Sequence, residues 1–150
     1  MVFKSTSADI TKQYAVRIAQ QIKKLPKKKV GACIVALIGD LGAGKTTFIQ
    51  GFVKEFGIVR RITSPTFLLM KRYVLKNEKF KNLYHLDAYR VAKLQELSPL
   101  GIETILENPQ NLVLIEWADN IKGKQLRHAI RFVFKHGKKE NERSILTHGI

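Results

Sequence analysis

The sequence predicts an α/β fold: a mostly parallel central sheet flanked by helices, with antiparallel additions. Three observations predict it. Two runs, 32–38 and 112–115, are apolar at every position, as strands buried on both faces are. Segments of helical period alternate with strand-like segments along the chain. A glycine-rich turn separates the first apolar run from a helical stretch.

The first helix starts after Ser7, which can cap it, and Asp9 suits its first turn. Ile10, Tyr14, Ile18, Ile22 and Leu25 recur at helical spacing. Lysines 23, 24 and 27 to 29 close it, where positive charge complements the helix dipole. The buried strand 32–38 follows, between Gly31 and Gly39. A second helix from about Lys45 carries Phe48, Phe52 and Phe56 four residues apart, a core stripe opposite a polar face. Residues 64–75 and 82–89 read as two strands of a hairpin around the polar turn 76–81. Residues 91–106 read as helix in two pieces, interrupted at Ser98-Pro99. Leu112 to Ile115 is the second central strand. Residues 129–134 alternate as a strand, and 144–147 form a last short one.

With 150 residues, 45% of them hydrophobic, the chain reads as a single domain over 1–150 with a packed core. No apolar stretch approaches the roughly 20 residues that span a bilayer. Lys4 and Asp9 interrupt any signal-peptide core. Cys33 is the only cysteine, which excludes an internal disulfide framework and a cysteine-based zinc site. In a buried strand it reads as an inert small hydrophobe. A reducing cytoplasm is the expected compartment.

Charge supports two readings. Lys and Arg number 27 against 12 Asp and Glu, a net charge of +15. That excess suits nucleic acid, an anionic surface or a phosphate-rich ligand, or it is a basic background that aids solubility. The basic clusters at 60–61, 71–72, 76–81 and 135–139 fall mostly in expected turns, where solvation explains most of them.

The strongest motif is Gly39-Asp40-Leu41-Gly42-Ala43-Gly44-Lys45-Thr46, which meets G-x-x-x-x-G-K-[ST] at every fixed position. A buried strand precedes it and a helix follows, the context a P-loop requires. Its glycines reach backbone angles that strain other residues, and their small size lets successive N–H groups close around a phosphate. The helix start adds its dipole. Lys45 supplies a mobile positive charge for the β- and γ-phosphates, and the Thr46 hydroxyl can ligate Mg²⁺.

Such a loop needs an acid to hold Mg²⁺ or its waters. Glu116 follows 112–115, and Asp87 follows Leu83-Tyr84-His85-Leu86. By periodicity Glu116 is the better metal candidate, because its strand is the more deeply buried type. Trp117, the only tryptophan, reads as core filling. His85 reads as a hydrogen-bonded structural histidine, with a base as the alternative.

The loop continues as Thr47-Phe48, and Ser64-Pro65-Thr66-Phe67, His85-Leu86-Asp87-Ala88-Tyr89-Arg90, 96–103 and Leu114-Ile115-Glu116-Trp117 follow in order. From about Thr11 to Trp117 this set resembles the TsaE (YjeE) family of small bacterial ATPases of tRNA threonylcarbamoyladenosine synthesis. The resemblance implies a P-loop fold, ATP and Mg²⁺ as cofactors, slow hydrolysis, and work with TsaB and TsaD. Asp40, Leu41, Gly42, Ala43, Gly44, Lys45, Thr46 and Thr47 would cradle the nucleotide. Thr46 and Glu116 would hold the metal. Thr66 would sit in a switch-like loop near the γ-phosphate, Asp87 near the metal or the attacking water, and Trp117 by the site or a partner surface. Ala88 and Ala118 depart from the bulky residue and the proline frequent in the family. The basic excess leaves open a direct tRNA contact. Two rivals remain: a small-molecule kinase, for which no lid insertion is visible, and a basic RNA-binding module.

Overall fold

The computed structural model describes residues 1–63 and 69–150. Its centre follows from the two all-apolar runs. They form β2 (Cys33–Ile38) and β5 (Asn111–Glu116), parallel neighbours with Val35 opposite Leu114. Side chains alternate across a strand, so each run feeds two cores. Cys33, Val35, Leu37, Leu112 and Leu114 enter one cluster; Ile34, Ala36, Val113 and Ile115 enter the other. That double burial is why these strands read as continuous apolar runs.

The first cluster lies under α1 (Ala8–Lys24) and α2 (Lys45–Lys54). Ser7 caps α1 by accepting from the Ile10 amide at 3.2 Å. Phe48 and Phe52 are fully buried and Phe56 nearly so, with Phe48 4.9 Å from Phe132 between ring centres. The stripe is core, as its period predicts. The second cluster lies under the segment 91–107 and the turns after β5.

The sheet is completed by β3 (Met70–Val74), β4 (Asn82–Asp87), β6 (Ile130–His136) and β7 (Arg143–His148), with β1 (Val2–Ser5) at one margin. Its order is β1-β7-β6-β2-β5-β4-β3. The four central strands, β6, β2, β5 and β4, are parallel. β3, β7 and β1 add on antiparallel, and β3–β4 is the expected hairpin. The start of the expected strand at 64–75 lies partly outside the described residues.

Two details differ from expectation. β1 has no signal of its own: Val2-Phe3-Lys4-Ser5 is short, and it forms by adding to β7. The helical segment does not break at Ser98-Pro99. A 3₁₀ helix, Leu94–Leu100, runs through Pro99, and α3 (Ile102–Glu107) follows after Gly101 at φ +77°. A proline removes only one donor from so short a run, whereas the reversal of direction needs the left-handed conformation that glycine provides. Among the described residues, no helix is long and apolar enough to cross a membrane.

Candidate functional site

The site gathers at the C-terminal ends of the parallel strands, where open α/β sheets present their ligand crevices. β2 ends at Ile38 and runs into the loop 39–44; β4 and β5 end side by side, with Asp87 in register with Glu116. The alternation that sends Leu83, Leu112 and Leu114 toward α2 sends His85, Asp87 and Glu116 the same way.

Two glycines set the loop's course. At Gly39 (φ +150°) a Cβ would stand 2.6 Å from the Phe134 carbonyl oxygen, so a side chain cannot pass β6 there. Gly44 (φ +103°) is the N-cap of α2 and leaves that helix without a side-chain cap. No acid stands in the first turn of α2, in contrast to α1 with Ser7 and Asp9. The first-turn amides of α2 therefore remain available to an anion.

Lys45 is buried, with its side chain folded back on its own loop. Its Nζ donates to the Gly39 carbonyl and, at 2.9 Å, to that of Asp40. The ammonium also sits 3.9 Å above the centre of the Trp117 ring. Burial pushes its pKa below lysine's ordinary range, and Glu116, Asp119, Asp40 and Asp87 offset part of that. The Thr46 hydroxyl donates to Glu116 Oε1 at 3.1 Å, and His85 Nε2 stands 2.7 Å from Glu116 Oε2. Asp87 is buried, and its Oδ1 accepts from the Tyr89 amide at 2.9 Å. A cleft of about 430 Å³ opens among Gly42, Lys45, Thr46, Asp87, Glu116 and Trp117.

Lys45, Thr46, Asp87 and Glu116 thus line one cleft. Asp40 lends its main-chain carbonyl, Ala43 is the buried residue of the loop, and Leu41 and Thr47 line the cleft. Thr66 lies outside the described residues. Trp117 packs against the second core cluster and also stands by the site, where the resemblance sets it. It takes φ +58°, is half-buried, and holds its ring at the cleft between Lys45 and Tyr89, whose ring centre is 5.0 Å away.

Sequence reasoning missed a brace on the loop's outer side. Arg143 Nη2 donates to the Gly42 carbonyl at 3.1 Å, and His136 Nε2 lies 3.3 Å from that of Leu41. These residues are about a hundred positions away, and nothing local marks them.

The donor set suits Mg²⁺ held jointly with a nucleotide. Among the described residues no group of three or more His, Cys, Asp and Glu could cage a metal. A hydroxyl already bonded to a carboxylate offers the one or two protein oxygens that Mg²⁺ takes when phosphates and water supply the rest.

The fold and this loop together define an α/β protein of the P-loop class. Within that class the chain belongs to the TsaE family: the model of "Threonylcarbamoyl adenosine biosynthesis protein TsaE" matches residues 5–145. It is 45% identical over 113 residues to the tRNA threonylcarbamoyladenosine biosynthesis protein TsaE of Rickettsia prowazekii (strain Madrid E), covering 75% of this chain and 70% of that one. The TsaE protein of Bacillus subtilis (strain 168) is 38% identical over 112 residues, covering 75% and 66%. The crystal structure of Bacillus subtilis YdiB superposes with a TM-score of 0.70 at 27% identity, over 98% of this chain and 83% of that one. The similarity extends past Trp117 into β6 and β7, where the motifs alone gave no sign of it.

Proposed function

We propose that this chain is an Mg²⁺-dependent ATP hydrolase that supports N6-threonylcarbamoyladenosine modification of tRNA, working in the cytoplasm with TsaB and TsaD. The observation that carries the reading is the Lys45–Thr46–Glu116 arrangement at the mouth of an uncapped helix. Family membership supports the pathway.

In this reading the amides of 42–47 and the α2 dipole bind the phosphates. Lys45 leaves the Gly39 and Asp40 carbonyls to meet the β- and γ-phosphates. Thr46 Oγ1 and Glu116 Oε1, now bonded to each other, turn to the metal side. Mg²⁺ supplies charge neutralisation on the transferred group. With Glu116 given to the metal, Asp87, in register with it at the end of β4, orients the attacking water. No arginine of the described residues is assigned to the γ-phosphate; a partner supplies the missing charge, which predicts slow turnover alone.

The test is ATP hydrolysis by Lys45→Ala and Glu116→Ala against the unaltered chain, alone and with TsaB and TsaD. Both variants lose turnover in this reading, and unchanged rates in both end it. The basic excess adds a direct tRNA contact, which shows as affinity that falls steeply with salt.

A further inference from the structure

We propose that His85 is the positioning residue for Glu116: its Nε2–H holds Oε2 and thereby turns Oε1 toward Thr46 and the metal. The inference rests on the metal role proposed for Glu116.

Packing does not explain an imidazole here. His85 is fully buried in β4, on the face shared with Leu83 and between its two cross-strand neighbours, Leu114 of β5 and Lys71 of β3. Burying an imidazole among them costs free energy unless its nitrogens are bonded. One nitrogen is bonded, 2.7 Å from Glu116 Oε2. The other, Nδ1, has no hydrogen-bond partner among the described residues.

This asymmetry assigns the proton. A carboxylate oxygen accepts, so the ring must carry a hydrogen on Nε2 to make this bond. The neutral tautomer with its hydrogen on Nδ1 would set two acceptors against each other at 2.7 Å and bury an unpaired N–H. The site therefore tolerates an unpartnered Nδ1 in order to keep one donor aimed at Glu116. Glu116 is itself only 2% exposed and its other oxygen is bonded by Thr46, so the two donors fix the carboxylate plane. Without His85 that plane has one anchor. Partners that orient a metal-binding carboxylate are typically worth 10–100-fold in metal affinity.

The experiment titrates Mg²⁺ into the chain with a non-hydrolysable ATP analogue and reads nucleotide binding by calorimetry, for unaltered protein, His85→Leu and His85→Gln. Nucleotide affinity in EDTA stays alike in all three. The apparent Mg²⁺ affinity falls ten- to hundredfold in H85L and recovers in H85Q, whose amide N–H reaches about as far as Nε2. An H85L protein with unaltered Mg²⁺ dependence overturns the proposal. So does an equal loss in H85L and H85Q at unaltered melting temperature, which would make shape and not the bond responsible. Should H85L fail to fold, H85Q is set against His85→Asn, whose shorter amide stops short of Glu116; equal behaviour of that pair overturns it. Imidazole ¹⁵N spectra of the nucleotide-free chain show hydrogen on Nε2, and a ring that carries its only hydrogen on Nδ1 overturns the proposal whatever the metal does. An unaltered chain whose nucleotide binding ignores Mg²⁺, with hydrogen present on Nε2, removes instead the metal role of Glu116 on which the inference rests.

Discussion

Gly51→Ala sets helix propensity against packing. Gly51 lies inside α2, where alanine is favoured by about 1 kcal/mol in an isolated helix. In the protein α1 crosses directly over it. A Cβ at Gly51 would stand 2.5 Å from the Lys12 carbonyl oxygen and 2.6 Å from the Lys12 Cα, both main-chain atoms that cannot swing aside. Ordinary contact begins near 3.4 Å, so the helices must part by roughly 0.9 Å. A gap of that size forfeits a quarter to a half of each contact's attraction along the seam, where Phe48, Ile49, Phe52, Tyr14, Ala15 and Ile18 are buried. Overpacking of this kind costs about 1–3 kcal/mol, and main-chain clashes put it at the upper end. After the propensity gain, a net loss of about 1–2 kcal/mol remains, or a melting temperature lower by about 2–8 °C at this size. Differential scanning calorimetry reads it directly. Gly57→Ala is the control: φ is +81° but nothing lies within 4 Å, so only the left-handed backbone costs, about 1–2 kcal/mol. The two variants separate by location: G51A also displaces the start of α2 and weakens nucleotide binding, while G57A does not. A G51A protein that melts higher than the unaltered chain would refute the reasoning.

Other expectations concern the site. Lys45→Ala removes a charged donor, so nucleotide affinity falls by about 2 kcal/mol, roughly thirtyfold, in calorimetry. Nucleotide draws Lys45 off the only indole, so Trp117 emission changes on binding; titration of K45A, which lacks the ammonium in both states, shows little change. Burial lowers the Lys45 pKa in the folded chain, so between that lowered value and the ordinary ~10.4 the unfolded chain holds the extra proton. The penalty is complete below that window and relieved as pH rises through it. Denaturant unfolding of the nucleotide-free chain relative to Lys45→Met should therefore show a stability difference that shifts in favour of the lysine as pH climbs. A difference flat with pH counts against the burial effect.

The parts legible in the sequence are those whose cause is local. β2 and β5 announce themselves because burial on both faces removes polar residues, and the loop because its glycines, lysine and threonine are adjacent. Glu116 and Asp87 could be placed because each ends a strand. What stayed hidden depends on register between distant segments. Residue type alone makes Trp117 look like core, and only the resemblance sets it by the site; the cause is a backbone that turns to φ +58° just after β5 and puts the ring over Lys45. Arg143 and His136 have no motif; they reach the loop only because β6 pairs with β2 and β7 with β6. β1 is a sheet margin recruited by β7, and four residues cannot carry that information.

Both margins bear on the charge of the chain. Among the described residues β1 and β3 each have a single neighbour, so each presents a row of unsatisfied peptide groups that a second molecule could zip onto. Lys4 stands exposed on one and Arg72 on the other, within an overall +15. Like charge keeps copies from stacking margin to margin, an insulation that dissolved ions erode as the screening length shrinks from about 10 Å at 0.1 M to about 3 Å at 1 M. Part of the cationic excess thus has an occupation that involves no RNA: it keeps a sheet with two open sides from becoming the seed of a fibre.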